Sequence, residues 1–300
     1  MNKGLIITIV ICIILFCLGV GLVVAGWKMG AATDFDIDIV NRKIQAVNEE
    51  SMKSGEEETG AFSEIDLDMD ATNVKILEGN SFKVDYRVYD EIPEIKNDNG
   101  KLIVKEKQHT KKLRFHLNAI NNEDTYVNIY IPKGTTINSC KIDIDAGNVA
   151  IDNQNMGNLN IDADAGNVKF ANSSFKDIVV KADAGDIKLA GIKAESMDGD
   201  VNYGNVKISD SEIGDFKLDT DAGNTKVAET KMNNIEIKTD AGNVNLALIG
   251  EKADYSFDVK VDYGNLMLDG AKQGSKVNIE GKSGKKIKID ADAGNVEIDF

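Results

Sequence analysis

The sequence predicts an all-β fold: a single-chain β-solenoid with about 19 residues per coil and two main strands per coil, behind one N-terminal transmembrane helix. Three observations predict it. The phrase Asp-Ala-Gly-Asn-Val recurs at a constant interval, with glycines at Gly147, Gly166, Gly185, Gly204, Gly223 and Gly242. Between these corners, apolar and polar residues alternate with period two. Residues 5–27 are an unbroken uncharged run. A fixed period of this size is the signature of one supersecondary unit stacked on itself.

The membrane segment comes first. The run from Leu5 to Trp27 is long enough to cross ~30 Å of hydrocarbon as a helix. Lys3 precedes it, Lys28 follows, and Trp27 suits an interface. Residues 1–4 are then a cytoplasmic tail, and the rest of the chain lies outside a single-pass anchor. A cleaved signal peptide is the rival reading, with Gly30-x-Ala32 as a late cleavage site. The apolar core of such a peptide is normally ~7–15 residues, shorter than this run.

Residues 28–61 read as a polar stalk, with a short helix over 37–47 and a flexible stretch over 52–59. Residues 62–137 read as irregular β coils that cap the stack. Ile65, Leu67 and Met69 alternate with acids, and Asp70-Ala71-Thr72-Asn73-Val74 echoes the repeat corner with Thr for Gly. Further strands are expected over 82–88, 101–105 and 126–131. Asn97-Asp98-Asn99-Gly100 marks a hairpin turn. The run 105–114 carries Lys105, Lys107, Lys111, Lys112 and Arg114 against one Glu. It reads as a solvated loop, or as a patch for anionic lipid or wall polymer.

Residues 138–300 read as the regular solenoid. In the copy from Gly157, Leu159, Ile161 and Ala163 alternate with Asn160, Asp162 and Asp164, and Val168 and Phe170 alternate past the corner. Equivalent positions predict two apolar columns. One holds Cys140, Leu159, Ile178, Met197, Phe216, Ile235, Phe257 and Ile287. The other holds Ile151, Phe170, Leu189, Ile208, Val227, Leu246, Leu268 and Ile298. Two looser copies follow at Gly264 and Gly294, each after a longer interval than the last. Every corner uses Gly, which supplies either positive φ or close backbone approach. Asn follows each Gly except at Asp186, a pattern suited to stacked amides. Tyr203 and Tyr263 replace the corner Ala and need a different local packing.

Charge and composition narrow the function classes. The chain has 35 basic and 50 acidic residues, a net charge of −15, which argues against nucleic acid as a partner. Cys12 and Cys17 lie in the apolar run, so the exported part has one thiol, Cys140, and no internal disulfide. The chain's two histidines, His109 and His116, form no metal spacing. Its acids belong to ladders rather than to a pair that breaks pattern, so no enzyme and no cofactor are expected. The outward ladder Asp145, Asp164, Asp183, Asp221, Asp240, Asp262 and Asp292 is broken only by Asn202. Lys169, Lys188, Lys207 and Lys226 form a second ladder that could neutralise it. The sharper alternative is a calcium-binding surface module whose hard oxygen ligands come from Asp145, Asp164, Asp183, Asp221 and Asp240. It lacks the glycine pattern of calcium-binding β-rolls.

The strand Tyr126-Val127-Asn128-Ile129-Tyr130-Ile131-Pro132-Lys133-Gly134, followed by Ile142-Asp143-Ile144-Asp145-Ala146-Gly147-Asn148-Val149, resembles the putative-adhesin domain family of bacterial envelope proteins. The order of anchor, stalk and repeat domain is similar to that of LiaG-type membrane proteins of Gram-positive bacteria. The resemblance covers residues 62–300. It implies a β-solenoid and a role in adhesion or envelope stress, and it carries no catalytic residues. The expected partners are the membrane, through the N-terminal helix, and a cell-wall polymer or a membrane protein.

Overall fold

The computed structural model describes residues 34–38, 43–46, 52–89, 91–106, 112–116 and 125–300. The predicted tail and membrane helix, residues 1–27, lie outside the described residues, as does the middle of the basic run, 107–111. Among the described residues no helix is long and apolar enough to cross a membrane. The chain divides into two compact units, residues 1–52 with 108–121, and 53–107 with 122–300.

In the first unit, strand Asp34–Asp38 lies between Lys43–Ala46 and Lys112–His116, antiparallel to both. The short helix expected over 37–47 is corrected: the described residues 37–38 and 43–46 are strand instead. β-branched and aromatic residues (Ile37, Ile44, Phe35) recur in these segments and favour extended backbone. The strand Lys112–His116 also takes the end of the basic run out of the loop expected there.

The second unit is the solenoid. Each regular coil has an 11-residue strand, the Gly-Asn corner, and a 4-residue strand, as in Asn155–Ala165 followed by Val168–Ala171. Long strands pair in parallel in a register that advances by one repeat: Cys140, Leu159, Ile178, Met197, Phe216 and Ile235 are successive partners. The short strands stack likewise, through Ile151, Phe170, Leu189, Ile208 and Val227. Both expected columns are buried throughout and belong to one hydrophobic core. No coil could bury its apolar face alone, so the stack is the folding unit.

The second corner, which the periodicity left undefined, has its own rule. Asn153, Asn172, Gly191, Asp210 and Glu229 stand one repeat apart and share positive φ between 47° and 65°. Asn, Asp and Gly tolerate this region, and Glu229 does so at more cost. Directly after it, Ser173 and Ser211 are buried. The Ser173 hydroxyl accepts from the backbone N–H of Gln154 at 3.0 Å and donates to the Ala171 carbonyl at 2.6 Å. Ser211 repeats this with Ile192 and Ser209.

The ends depart from a plain stack. The strand Lys285–Ala293 pairs with the second half of Thr225–Ala241 on one side and with Tyr255–Tyr263 on the other. Val296–Asp299 is likewise held between Val244–Leu248 and Leu266–Leu268. The last coil in sequence is therefore the penultimate coil in space. The longer intervals before Gly264 and Gly294 reflect this insertion: the chain passes over one coil position, turns back through Lys276–Ile279, and fills the gap. At the other end, Lys101–Lys105 and Tyr126–Pro132 form a coil outside that of Glu64–Met69 and Asn73–Gly79. Its hairpin partner Glu94–Asp98 turns at Asn99-Gly100, both with positive φ, as a two-residue hairpin requires. The stretch expected to be a flexible stalk is the strand Met52–Glu58, paired to Lys83–Tyr89. At both ends the outermost strands run antiparallel and carry charge, including Lys53, Glu57, Lys272 and Lys276, which discourages end-to-end association.

Gly185 is required by contact as well as by its positive φ of 149°. A Cβ there would lie 1.9 Å from the Gly166 carbonyl oxygen, a backbone atom of the coil beneath. At Gly274 a Cβ would meet nothing within 4 Å. Gly185→Ala should therefore lower unfolding free energy by about 3 kcal/mol or more, and Gly274→Ala should leave it within about 0.5 kcal/mol. Chemical denaturation of both variants checks this; equal midpoints would refute the contact argument. Deleting residues 285–300 removes an internal coil, so the loss of stability should exceed that of a terminal deletion. A peptide spanning residues 283–300 added in trans should restore part of the lost melting temperature.

Candidate functional site

The Gly-Asn corners form a hydrogen-bonded line along the stack. At each rung the backbone N–H and the Nδ2 of one Asn donate to Oδ1 of the Asn in the adjacent coil. Asn148 donates to Asn73 at 2.9 Å, Asn167 to Asn148 at 3.0 Å, and Asn243 to Asn224 at 3.1 and 2.9 Å. The line continues through the inserted coil: Asn295 donates to Asn243 and Asn265 donates to Asn295. At Asp186 the carboxylate accepts both bonds from Asn205, but only the backbone N–H is available to Asn167. One bond of the line is missing there. The first corner lacks Gly, and Glu106 takes over: its carboxylate accepts from the backbone N–H groups of Asp70 and Ala71 and from the Thr72 hydroxyl.

Gly147, Gly166, Gly185, Gly204, Gly223, Gly242, Gly264 and Gly294 all sit at this corner, each against the backbone of the neighbouring coil. They serve architecture. The aspartates of the adjacent row, Asp145, Asp164, Asp183, Asp221, Asp240, Asp262 and Asp292, are exposed on the long-strand sheet. Asn202 does not merely interrupt the row; it donates to Asp183 at 2.9 Å.

The row two residues earlier is mixed in sign. Its register runs Asp143, Asp162, Lys181, Asp200, Asp219, Lys238, Asp290, Lys260. Lys238 lies 3.8 Å from Asp219 and 3.9 Å from Asp240, and Lys260 lies 2.8 Å from Asp262. Neutralisation therefore comes from lysines within the long strands. The ladder Lys169, Lys188, Lys207 and Lys226 lies on the short strands instead and, among the described residues, makes no ion pair with the aspartate row. Among the described residues, no three His, Cys, Asp or Glu side chains converge on a point that could hold a metal ion. Carboxylates in a ladder point in parallel, whereas calcium needs oxygens gathered around one centre.

The outer surface of the long-strand sheet has a shallow depression of about 380 Å³ lined by Asp198, Asp215, Lys217, Glu236 and Lys288 among others. Two ion pairs lie within it. Lys217 pairs with Asp198 at 3.4 Å, and Lys288 donates to Glu236 at 2.7 Å, which holds the Glu236 carboxyl below the usual range. Cys140 is buried in the first apolar column, and burial drives its thiol far above the ordinary range, so it is no nucleophile.

Asp145 behaves differently from Glu236. Burial first, then Asp164, Asp143, Asp68 and Glu106, raise its carboxyl above the ordinary value. A folded-state value above the unfolded one means the group favours folding in acid and loses that contribution as pH rises through the folded value. Asp145→Asn should therefore raise the melting temperature at pH 7, and the gain should shrink toward zero near pH 3. A gain that grows on acidification would refute this assignment.

The chain matches the family model described as Toastrack DUF4097 over residues 62–299. No curated protein sequence is significantly similar to it. Similar solved structures include a putative adhesin from Bacteroides fragilis, at 15% identity, covering 64% of this chain and 96% of that one, with a TM-score of 0.36. Another is a putative lipid binding protein from Parabacteroides distasonis, at 10% identity, covering 83% and 94%, with a TM-score of 0.45. A third is a putative cell adhesion protein from Clostridium sporogenes, at 13% identity, covering 83% and 99%, with a TM-score of 0.28. With a match spanning nearly all of the solenoid, the chain belongs to the Toastrack DUF4097 family.

Proposed function

We propose that this is a membrane-anchored, extracytoplasmic, non-enzymatic protein of the bacterial cell envelope that binds along its solenoid in the manner of an adhesin. The observation that carries this reading is the strict coil register, which lays exposed side chains in straight axial rows. A row presents one chemistry repeatedly along the stack. Such a surface suits an extended partner better than a small substrate, which is normally held in a concave and mostly apolar pocket. The uncharged run at residues 5–27 would hold the domain at the membrane, within reach of a cell-wall polymer or a neighbouring membrane protein.

The test is direct. The full chain expressed in a bacterium should partition with membranes and resist salt extraction, and deletion of residues 5–27 should release it. Protease added to intact protoplasts should remove the solenoid. Recovery in the cytosol, or protection of the solenoid from external protease, would overturn the proposal.

A further inference from the structure

Two tyrosines stand out from the corner line. Tyr203 and Tyr263 occupy the position held elsewhere by alanine and are 65% and 80% exposed. They are distant in sequence. The register makes them neighbours on one line: Tyr203 pairs with Ala222, Ala222 with Ala241, Ala241 with Ala293, and Ala293 with Tyr263. At one strand spacing per coil they stand ~19 Å apart along the stack. Between them lies a floor of alanines. Neither phenol oxygen has a hydrogen-bond partner among the described residues, and no packing explains two large aromatic rings left in water.

The edges of this floor are polar and regular. On one side run Asp221, Asp240 and Asp292, all exposed. Lys238 reaches Asp240, whereas Asp221 and Asp292 have no ion pair among the described residues. On the other side run Asn224, Asn243 and Asn295, whose amides each use one N–H in the hydrogen-bonded line and keep a second for a ligand.

We infer that this strip, from Tyr203 to Tyr263, binds a linear glycan of amine-bearing hexosamine units lying along the stack axis. The inference rests on the binding function proposed above and names its ligand class. The repeat of one coil is close to the length of one pyranose unit in an extended β-linked chain, and successive units are turned over, so every second amine faces the aspartate side, which is the two-coil spacing of Asp221 and Asp292. The two aromatic faces suit the C–H faces of sugars at either end of the strip. The unmatched carboxylates favour protonated amines and repel anionic polymers. A peptide strand is disfavoured here, because strand addition needs a free sheet edge and the strands across this strip are paired on both sides as far as the terminal coil of Tyr263.

The test uses the full chain in detergent micelles, with isothermal titration of three hexasaccharides: β-1,4-linked glucosamine, its N-acetylated form, and oligogalacturonate. The glucosamine hexamer should bind, the acetylated hexamer more weakly, and the acidic hexamer not measurably. The double variant Tyr203→Ala with Tyr263→Ala should weaken binding by about tenfold or more, with its melting temperature unchanged because both rings are exposed. Absence of glucosamine-hexamer binding, tighter binding of the acetylated form, or indifference to the double substitution would overturn the site. Equal affinity for hexalysine would reduce it to simple charge attraction and overturn it too. Membrane fractionation is independent of these titrations, so failure of the glycan site leaves the anchored-protein reading separately decided.

Discussion

The tightest constraint in this molecule is backbone against backbone at the Gly-Asn corner. Each corner glycine would place a Cβ within 1.9 Å of a carbonyl oxygen in the adjacent coil from Gly166 to Gly294. That contact admits hydrogen and nothing larger. With the backbones so close, the following Asn reaches the Asn of the next coil with both its main-chain and side-chain N–H groups. The Asn line then holds every coil in the same rotation about the axis. The straight apolar columns, the outward rows and the parallel register all follow from that alignment. The Thr72 corner shows the same need met differently. There a Cβ on Gly147 would lie 2.7 Å from the Thr72 carbonyl oxygen, and Glu106 supplies acceptors for the corner N–H groups.

A stack with open ends would polymerise, because its last coil offers unpaired strands to another copy. This chain closes each end with antiparallel strands that cannot continue a parallel coil. At the C-terminal end it goes further and inserts its final coil between two earlier ones. Tyr255 secures the outer coil, its hydroxyl donating to the Met232 carbonyl at 2.6 Å across the inserted layer, with Phe300 packed 5.2 Å from its ring. The last residues of the chain are thus interior to the stack, and its outermost complete coil is made earlier in sequence.

Alternation divides the side chains cleanly, and the outward half carries the chemistry available for recognition. Charge is not uniform across it. One row intersperses Lys among Asp and pairs Lys238 with Asp219 and Lys260 with Asp290; the row beside the corner is almost wholly acidic. Repulsion along that row is tolerable because the groups are exposed, so water screens each pair to ~1 kcal/mol. Asp145 carries the largest strain of the row, because it is partly desolvated although exposed and also meets Asp68 and Glu106. Inside, Thr220 and Thr239 stack with buried hydroxyls that lack partners, a local cost at the centre of an otherwise apolar column.

The sequence by itself determined the coil: its constant length, its alternating strands, the Gly-Asn corner, the Asn stack and the two apolar columns. Local periodicity suffices for these, since a residue's face in a strand depends only on parity and a repeated corner must stack on itself. Other features required the tertiary structure. The left-handed positions at Asn153, Asn172, Asp210 and Glu229 vary in residue type, so their shared torsion leaves only a faint trace in the sequence. The strands at 34–38 and 52–58 depend on distant partners that short-range pattern does not reveal. The place of the last coil is invisible along the chain, because the longer intervals before Gly264 and Gly294 fit a loose sequential stack as well as an insertion. The spacing of Tyr203 and Tyr263 follows from that insertion: a sequential stack would put them three coils apart on the same line, and the inserted coil makes it four.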